Sequence, residues 1–335
     1  DHNLPVSGIA DEITLAKIEE LLQGRKYTNY NLTLDEAVKI QMRVNPQTDQ
    51  YYAYVSKNYI DKNNTVTASA LNVRSGPGTN YSIIGTLSKG TKVDILGESG
   101  NFYAIEYAKY SWVTALEKDV RYYLNPENFA NDIKQMFQFL DLSRLSGSSE
   151  TLLNSYLKGK GILEGQGKAF IDAGIMYGVN EVYLLAHALH ETGNGTSRLA
   201  IGVEVGRDSS GRLQLVTTNN RNRLTNIRKT YNMYGIGARD EDPVRLGAIR
   251  AYEEGWFTPY DAIVGGARFI GNNYIQAGQN TLYKMRWNPA AMEKGSASHQ
   301  YATDIGWAYK QVDRIYQLYQ DIGIDTYFLD IPVYK

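Results

Sequence analysis

The chain has 335 residues, of which 43% are hydrophobic and 21% charged, so it is long enough for two or three domains and a sizeable core. Its net charge of −1, from 35 basic and 36 acidic residues, argues against a nucleic-acid partner. It has no cysteine and no apolar run of 18 residues, which excludes disulfides, a thiolate nucleophile, a cysteine-type zinc site and a membrane-spanning helix. It begins without Met or a signal peptide, as expected of a processed product.

Residues 1–62 are predicted to form a mainly helical N-terminal segment. Ile13 to Leu22 has helical spacing, and Thr33 is placed to cap a second helix, Leu34 to Val44, which Pro46 ends. Because this segment contains no set of reactive side chains, we expect it to be a peripheral extension.

Residues 63–119 change to short alternating strands separated by turns. The predicted strands are Thr67–Arg74, Ile83–Leu87, Lys92–Leu96, Phe102–Tyr107 and Ser111–Val113. Strands this short and this closely spaced predict a small all-β barrel. The string LNVRSGPGTNYSIIGTLSKGTKVDIL, followed later by Trp-Val, closely resembles the bacterial SH3-like domain, although Tyr110-Ser-Trp112 replaces the usual Gly-Trp. That resemblance implies a wall-binding module for peptide stems or cross-bridges, and the alternative is a spacer barrel without a ligand.

Residues 120–335 are predicted to be mainly helical with one β-hairpin. The helical patterns are Pro126–Leu142, Thr151–Leu157, Gly167–Met176, Val179–Glu191, Tyr260–Tyr274 and Tyr301–Tyr319. Ala200–Val205 and Arg212–Val216 flank a polar loop and predict the hairpin. The hairpin follows Glu191 closely, so we expect it to form a β flap beside that residue.

The stretch NEVYLLAHALHETGNGTS, Asn180 to Ser197, carries the main chemical signal. Its helix is apolar all round, which is typical of a buried helix, with Asn180 as N-cap and Gly193 at its end. Glu191 therefore lies in the last turn. Poor solvation there would raise its pKa and suit it to general acid catalysis, whereas the alternative is a salt-bridged Glu at a fraying helix end.

Several strings in this region closely resemble one enzyme family. Besides HALHETGNGTSRLA they are Tyr231–Ala238, Ala251–Trp256, Ala262–Ile270, Gly278–Pro289 and His299–Asp304. Together they resemble the catalytic domain of bacterial endo-β-N-acetylglucosaminidases, glycoside hydrolase family 73, and especially the staphylococcal autolysin type. The resemblance implies an α+β lysozyme-like fold with a helical lobe and a small β lobe. It also implies cleavage of the GlcNAc-β-1,4-MurNAc bond of peptidoglycan, with Glu191 as the catalytic acid.

The resemblance also indicates candidates for substrate binding. Tyr231, Asn232 and Tyr234 match the string after the β lobe and suit stacking on a sugar and hydrogen bonding to an N-acetyl group. Tyr283 and Trp287 match a later string and could line the glycan groove. For each aromatic residue the alternative is ordinary core packing.

The second catalytic group stays open at this point. A two-carboxylate glycosidase uses a close nucleophile or a more distant base, and Glu204 on the flap and Asp240 after the Gly-Ile-Gly turn are the candidates. Glu204 is preferred as base, and a solvated hairpin residue is its alternative. A third route needs neither residue, because the substrate's own 2-acetamido group could attack the anomeric carbon.

No metal or cofactor is expected. His187, His190 and Glu191 form H-x-x-H-E, which differs from the metalloprotease H-E-x-x-H, and only His2 and His299 remain as further imidazoles. We expect a structural role for these histidines, in which one of them hydrogen-bonds near Glu191 and helps to set its proton affinity. The sequence also lacks a phosphate-binding glycine loop, a dinucleotide fingerprint and a serine nucleophile elbow.

The sequence thus predicts a secreted, monomeric, cell-wall-associated peptidoglycan hydrolase of a Gram-positive-type bacterium. Its three parts would be an N-terminal helical segment (1–62), an SH3-like barrel (63–119) and a glucosaminidase domain (120–335). The alternatives are a muramidase or lytic transglycosylase acting on the same polymer, and a catalytically inactive wall-binding protein.

Overall fold

The computed structural model describes residues 24–48, 53–107, 113–239 and 241–335. The chain divides into two compact units. The larger unit comprises Asp1–Ile40, Arg121–Tyr301 and Trp307–Lys335, and the smaller comprises Gln41–Val120 and Ala302–Gly306. The predicted helix Ile13–Leu22 lies outside the described residues.

The smaller unit is a β structure, as its short strands predict. Its strands are β2 (Gln47–Thr48), β3 (Ala53–Ser56), β4 (Ala70–Arg74), β5 (Ile83–Ser88), β6 (Asp94–Ser99), β7 (Phe102–Glu106) and β8 (Val113–Thr114). Five of them form an antiparallel sheet in the order β5-β4-β3-β7-β6, and β2 pairs with β8. Ala53 and Val55 of β3 are buried in its core beside Val73 and Ile105.

The predicted boundary at residue 62 is therefore too late. Because β3 is the central strand of the sheet, residues 41–62 belong with the β unit rather than with a helical extension. The prediction of a mainly helical N-terminal segment is also wrong for residues 25–30, which form strand β1 (Arg25–Tyr30). The predicted helix Leu34 to Val44 is present as α1, Leu34–Met42.

The larger unit is built mainly of helices. After α2 (Glu117–Leu124), which spans the boundary between the units, the helices are α3 (Glu150–Leu157), α4 (Gly167–Tyr177), α5 (Glu181–Glu191), α6 (Arg198–Ile201), α7 (Pro243–Glu253), α8 (Pro259–Ile270), α9 (Leu282–Trp287), α10 (Pro289–Met292) and α11 (Trp307–Ile322). The predicted helix Tyr260–Tyr274 is divided into α8 and one π-helical turn, Gly271–Ile275. Short 3₁₀ turns occur at Lys57–Tyr59 in the β unit and at Gly161–Leu163 and Arg221–Arg223 in this one.

The predicted helix Pro126–Leu142 is wrong. The chain instead forms two 3₁₀ turns, Pro126–Asn128 and Gln135–Phe139. Between them the carboxylate of Asp132 accepts the backbone N–H groups of Lys134 and Gln135 at 2.9 and 2.7 Å. This local side-chain bonding offers the backbone an alternative to a continuous helix.

A three-stranded sheet, here called the β lobe, follows α6. It consists of β9 (Val203–Arg207), β10 (Leu213–Leu215) and β11 (Thr225–Thr230), in the order β10-β9-β11. The predicted hairpin is present, but it starts later because residues 198–201 are helical. Val203 and Val205 are buried against Ala248 of α7, which fixes the β lobe to the helices.

A two-stranded parallel ribbon, β1 with β12 (Leu329–Tyr334), is held by a buried ion pair. The Lys284 ammonium lies 2.6 Å from Asp330 Oδ2, and both side chains are almost fully buried. Lys26 approaches the same carboxylate oxygen at 3.3 Å, but its side chain is 61% exposed. Both lysines therefore contact Asp330, but Lys284 does so in the protein interior and Lys26 at the surface.

Lys284→Ala is expected to lower the free energy of unfolding by about 3–5 kcal/mol, because it removes the only buried cation that the described residues place against the buried Asp330 carboxylate. Lys26→Ala is the matched control and should lower it by less than about 1 kcal/mol, as for other exposed ion pairs. Urea unfolding followed by tryptophan fluorescence measures both, since three of the four tryptophans lie in the larger unit. Equal losses in the two variants would contradict this account.

Candidate active site

The site is built on α5, whose start is fixed by buried polar contacts. The Asn180 side chain accepts the N–H of Tyr183 at 2.9 Å, as an N-cap does, and donates to the hydroxyl of Tyr319 at 2.8 Å. The buried carboxylate of Glu181 accepts from Ser146 and Ser148. From Glu181 to Leu189 every residue is buried, which confirms the prediction of a buried helix.

The end of α5 is equally well defined. Thr192 follows it as C-cap, and its hydroxyl donates to the carbonyl of Ala188 at 2.6 Å and accepts the N–H of Gly195 at 2.8 Å. Gly193 has φ of +56°, a left-handed conformation that favours glycine. The helix therefore ends where the sequence predicts, with Glu191 as its last residue.

The carboxyl group of Glu191 lies at the edge of the buried region. Its side chain is 36% exposed, and a Cβ atom on Gly235 would lie only 3.2 Å from its Oε2. Gly235 also has φ of +63°, so glycine suits this position for two reasons. Burial raises the pKa of Glu191 above its ordinary value near 4.5, and the nearby His190 opposes this only in part.

His187 lies one helical turn before Glu191 and is almost fully buried. Its Nε2 is 3.9 Å from Glu191 Oε1 and 3.4 Å from the hydroxyl of Tyr301. Burial, with a smaller contribution from His190, lowers the pKa of His187 to about 4. The imidazole is therefore neutral near pH 7, so that it does not stabilise the Glu191 carboxylate as a cation would.

Three aromatic side chains form a cluster next to His187. Tyr301, Tyr274 and Trp307, here called the aromatic wall, are all partly exposed. The ring of Tyr301 lies 4.6 Å from that of Trp307, 5.1 Å from that of Tyr274 and 6.2 Å from that of His187. Rings of this kind offer apolar faces and hydroxyl groups to a polar ligand such as a sugar.

The loop from Tyr231 to Gly237 forms another side of the site. The buried amide of Asn232 donates to the carbonyls of Ile236 and Gly247 at 2.8 and 3.2 Å and accepts the N–H groups of Tyr234 and Ile236. Both ends of this amide are thus used within the protein. Asn232 fixes the loop and ties it to α7 rather than offering its amide to a ligand, which corrects the prediction of a contact with an N-acetyl group.

Residues 167–320 match the family described as mannosyl-glycoprotein endo-beta-N-acetylglucosaminidase, and residues 69–117 match the bacterial SH3 domain. The crystal structure of a major bifunctional autolysin is similar at 35% identity and a TM-score of 0.59, covering 93% of this chain and 98% of that one. A catalytic glutamate-to-alanine mutant of Staphylococcus aureus autolysin E, crystallised with the disaccharide NAG-NAM, is similar at 31% identity and a TM-score of 0.53, covering 91% and 99%.

The chain belongs to the glucosaminidase family, glycoside hydrolase family 73. Among curated proteins, the β-N-acetylglucosaminidase of Bacillus subtilis is 48% identical over 314 residues, which is 92% of this chain. The match spans about a third, 32%, of that relative's length. The glucosaminidase domain is a mixed α/β structure and the SH3 domain a β structure, as the resemblance implies.

Within the glucosaminidase domain, Tyr283 and Trp287 do not line a groove. Both have no exposed surface, because α9 is buried on all sides. The Tyr283 hydroxyl donates to the carbonyl of Leu124, and the Trp287 ring lies 4.0 Å from the guanidinium of Arg286. The alternative of core packing is correct for these two residues.

Tyr231 and Tyr234 differ in exposure. Tyr234 is buried, its ring lies 5.6 Å from that of His187, and it packs on Gly266. Tyr234 therefore packs under the site in the protein interior, and its ring is not available to stack on a sugar. Tyr231 is partly exposed beside Lys229, whose ammonium lies 5.5 Å from its ring, so it stays a candidate for contact with a ligand.

The two candidates for the second carboxylate have different outcomes. Glu204 lies on β9, and both of its oxygens accept from Arg221, at 2.7 and 2.8 Å. This ion pair lies at the surface, and the role of Glu204 as a base stays a prediction. Asp240 lies outside the described residues.

The aromatic wall is not predicted from the sequence. Tyr301 lies in the string His299–Asp304, which the resemblance includes without a role for this residue, and Tyr274 and Trp307 lie in predicted helices with no pattern that indicates a site. Their proximity depends on tertiary packing within the larger unit, which brings Tyr274, Tyr301 and Trp307 together and which periodicity cannot reveal. The string itself was the one signal that could have directed attention to Tyr301.

Neither a metal centre nor a membrane span emerges from the ranges that the structure describes. There, no group of three or more His, Cys, Asp or Glu residues could hold a metal ion. Nor is any helix in those ranges both long enough and apolar enough to cross a bilayer.

His187→Gln is expected to remove a pH dependence of stability. In the unfolded chain the imidazole takes up a proton near pH 6.5, but in the folded protein only near pH 4. The unfolded state therefore binds more protons below pH 6.5, and the wild type loses about 3 kcal/mol of unfolding free energy between pH 7 and pH 4 through this group. Urea unfolding at both pH values measures the difference between the two proteins.

The exposed neighbour provides the control for this measurement. His190→Gln should leave the wild-type dependence largely in place. An unchanged dependence in His187→Gln would show that the buried imidazole is not its source.

Proposed function

We propose that this protein is a secreted endo-β-N-acetylglucosaminidase of Gram-positive-type bacteria that cleaves the GlcNAc-β-1,4-MurNAc bond of peptidoglycan. The observation that carries the proposal is the carboxyl group of Glu191, partly withdrawn from water at the end of a buried helix. The resemblance assigns the catalytic acid to this same residue. We also propose that the glucosaminidase domain has a lysozyme-like fold, in which the helices form one lobe and the β lobe forms the other.

The chemistry follows from the protonation state of that carboxyl group. A raised pKa keeps a larger fraction of Glu191 protonated as the pH approaches neutrality. Its proton passes to the glycosidic oxygen while the bond from that oxygen to C1 of GlcNAc breaks. An oxygen atom from water then bonds to C1, the water proton passes to a base, and Glu191 is left as the carboxylate.

The neutral His187 supports this role. A protonated imidazole 3.9 Å from the carboxyl group would favour the carboxylate and so lower the pKa of Glu191. Since burial keeps His187 neutral, Glu191 can hold its proton. Tyr301 and the rest of the aromatic wall would contact the sugar beside it.

The SH3 domain fits the same function. We propose that it binds peptide stems or cross-bridges of the wall and so keeps the glucosaminidase domain near its polymer. Autolysin E of Staphylococcus aureus has been crystallised with a muropeptide and with NAG-NAM, and the same class of substrate is proposed here. The enzyme is expected to act as a monomer without a cofactor.

Glu191→Gln is expected to lower the rate of wall digestion at least about a thousandfold while glycan binding persists, because the amide keeps the shape but cannot donate the proton. Mass spectrometry of digested wall provides the second readout. The wild type should release fragments with reducing GlcNAc ends. Reducing MurNAc or anhydro-MurNAc ends, or full activity of the variant, would contradict the proposal.

Glu204→Gln tests the second catalytic group. If Glu204 is the base, the variant should lose about a hundredfold to ten-thousandfold in kcat. Arg221→Ala serves as the control, because it breaks the ion pair and leaves the carboxylate in place. Wild-type kcat in Glu204→Gln would exclude it, leaving Asp240 or the 2-acetamido group of the substrate.

A further inference from the structure

The β lobe carries a strong local positive charge. Residues 203–230 contain six basic and two acidic side chains, which gives a net charge of +4, whereas the whole chain has a net charge of −1. Asp208 pairs with Arg212 and Glu204 pairs with Arg221. Within the ranges that the structure describes, no carboxylate forms an ion pair with the other four cations of the lobe, which are Arg207, Arg223, Arg228 and Lys229.

Two of these cations, Arg207 and Arg228, are held on aromatic rings. The guanidinium of Arg207 lies 5.5 Å from the ring centroid of Tyr252, and the guanidinium of Arg228 lies 4.3 Å from the ring centroid of Phe257. The two rings contact each other edge to face, with their centroids 5.5 Å apart. These four side chains are here called the arginine–aromatic cluster. Both arginines are exposed, so their guanidinium groups can reach a ligand.

A β-bulge places Arg228 on the same face of the β lobe as Arg207. Arg207 lies on the face of β9 that also carries Val205, which packs on α7, whereas Glu204 lies on the opposite face. Thr225 pairs with Arg207 and Arg228 pairs with Val205, so β11 has one extra residue between these two pairs. Without this residue Arg228 would lie on the opposite face.

The bulge is itself attached to α7. Asn226 has a left-handed φ of +50°, and its carbonyl accepts the hydroxyl of Tyr252 at 2.8 Å. Tyr252 therefore fixes the bulge with its hydroxyl and contacts Arg207 with its ring. Bulges that redirect a side chain are common next to functional sites. Because both guanidinium groups are already positioned, a ligand loses little affinity in ordering them.

The chemistry of the cluster favours an anionic polymer. A guanidinium on an aromatic ring keeps its N–H groups at its edge, where they bind oxyanions through charge-assisted hydrogen bonds. Four cations spread over one lobe suit a chain of repeated charges better than a single ion, because every contact adds to binding by releasing counterions. A phosphodiester polymer carries its charge in the backbone itself, so successive charges can follow a protein surface.

We infer that the arginine–aromatic cluster is a binding site for a linear phosphodiester polymer. This polymer is not the substrate and undergoes no reaction. The cluster lies on the face of β9 opposite to Glu204, the candidate base, so that the polymer and the candidate base use different faces of the lobe. Binding here holds the enzyme beside the polymer. The inference goes beyond the proposed function and does not depend on it.

The test measures the affinity of the full-length protein for a synthetic linear oligomer of glycerol phosphodiesters, by titration calorimetry at several salt concentrations. Arg207→Gln combined with Arg228→Gln removes both guanidinium groups. This variant is expected to bind at least about tenfold more weakly. The slope of log affinity against log salt concentration should also fall in magnitude by about 1.4, since each contact with a single-stranded phosphodiester contributes about 0.7.

The matched control is Arg212→Gln combined with Arg221→Gln. It removes the same charge from the same lobe, but from arginines that are paired with carboxylates. Its affinity should stay within about threefold of the wild type. Urea unfolding of both double variants checks that they fold. Arg207→Lys combined with Arg228→Lys keeps both charges without the planar groups, and its affinity should lie between those of the wild type and the glutamine variant.

Two results would overturn the inference. One is an equal loss of affinity in the two glutamine variants, which would mean that only the net charge of the lobe matters. The other is equal binding of a polygalacturonate oligomer with the same number of charges, whose carboxylates are attached to rigid rings. It is expected to bind at least about threefold more weakly. Digestion of wall free of phosphodiester polymers is measured in parallel: the variant at Arg207 and Arg228 should match the wild type, and no digestion by the wild type would contradict the proposed function alone.

Discussion

The structure around the site depends on the removal of α5 from water. Exclusion of solvent disfavours charge, and the two ionisable groups that approach each other near the end of this helix, His187 and Glu191, respond in that sense. Burial raises the pKa of Glu191 and lowers the pKa of His187 to about 4. Both shifts favour the uncharged form of each group, and a neutral carboxylic acid is what the transfer of a proton to a sugar oxygen requires.

The rest of the larger unit keeps this arrangement in place. Asn180 and Glu181 fix the start of α5 through buried hydrogen bonds, and Thr192 fixes its end. Asn232 ties the loop after the β lobe to its own backbone, so that Gly235 stays in contact with the carboxyl group. These polar side chains thus hold the backbone of the site in place and are not free to bind a ligand. The partly exposed groups, on Tyr231 and the aromatic wall, are the ones that remain for substrate.

The part of the site within a single helix was predictable, because its cause is local. An apolar stretch with a cap at each end indicated α5 and placed Glu191 on its last turn. Side chains whose role depends on tertiary packing were not predictable. Tyr283 and Trp287 belong to a matching string yet lie in the core, while Tyr274 and Tyr301 come together from distant positions. In the β unit, β3 was missed as the central strand because it lies before the recognisable SH3 string.

The most direct test is a titration of Glu191 itself. NMR of the full-length protein with ¹³C-labelled glutamate carboxyl groups, assigned by the loss of one signal in Glu191→Gln, gives the pKa of this group without any assumption about activity. The account predicts a midpoint above the ordinary value near 4.5. A midpoint at or below that value would mean that the protein does not hold this proton, and the proposed acid would have to be sought elsewhere.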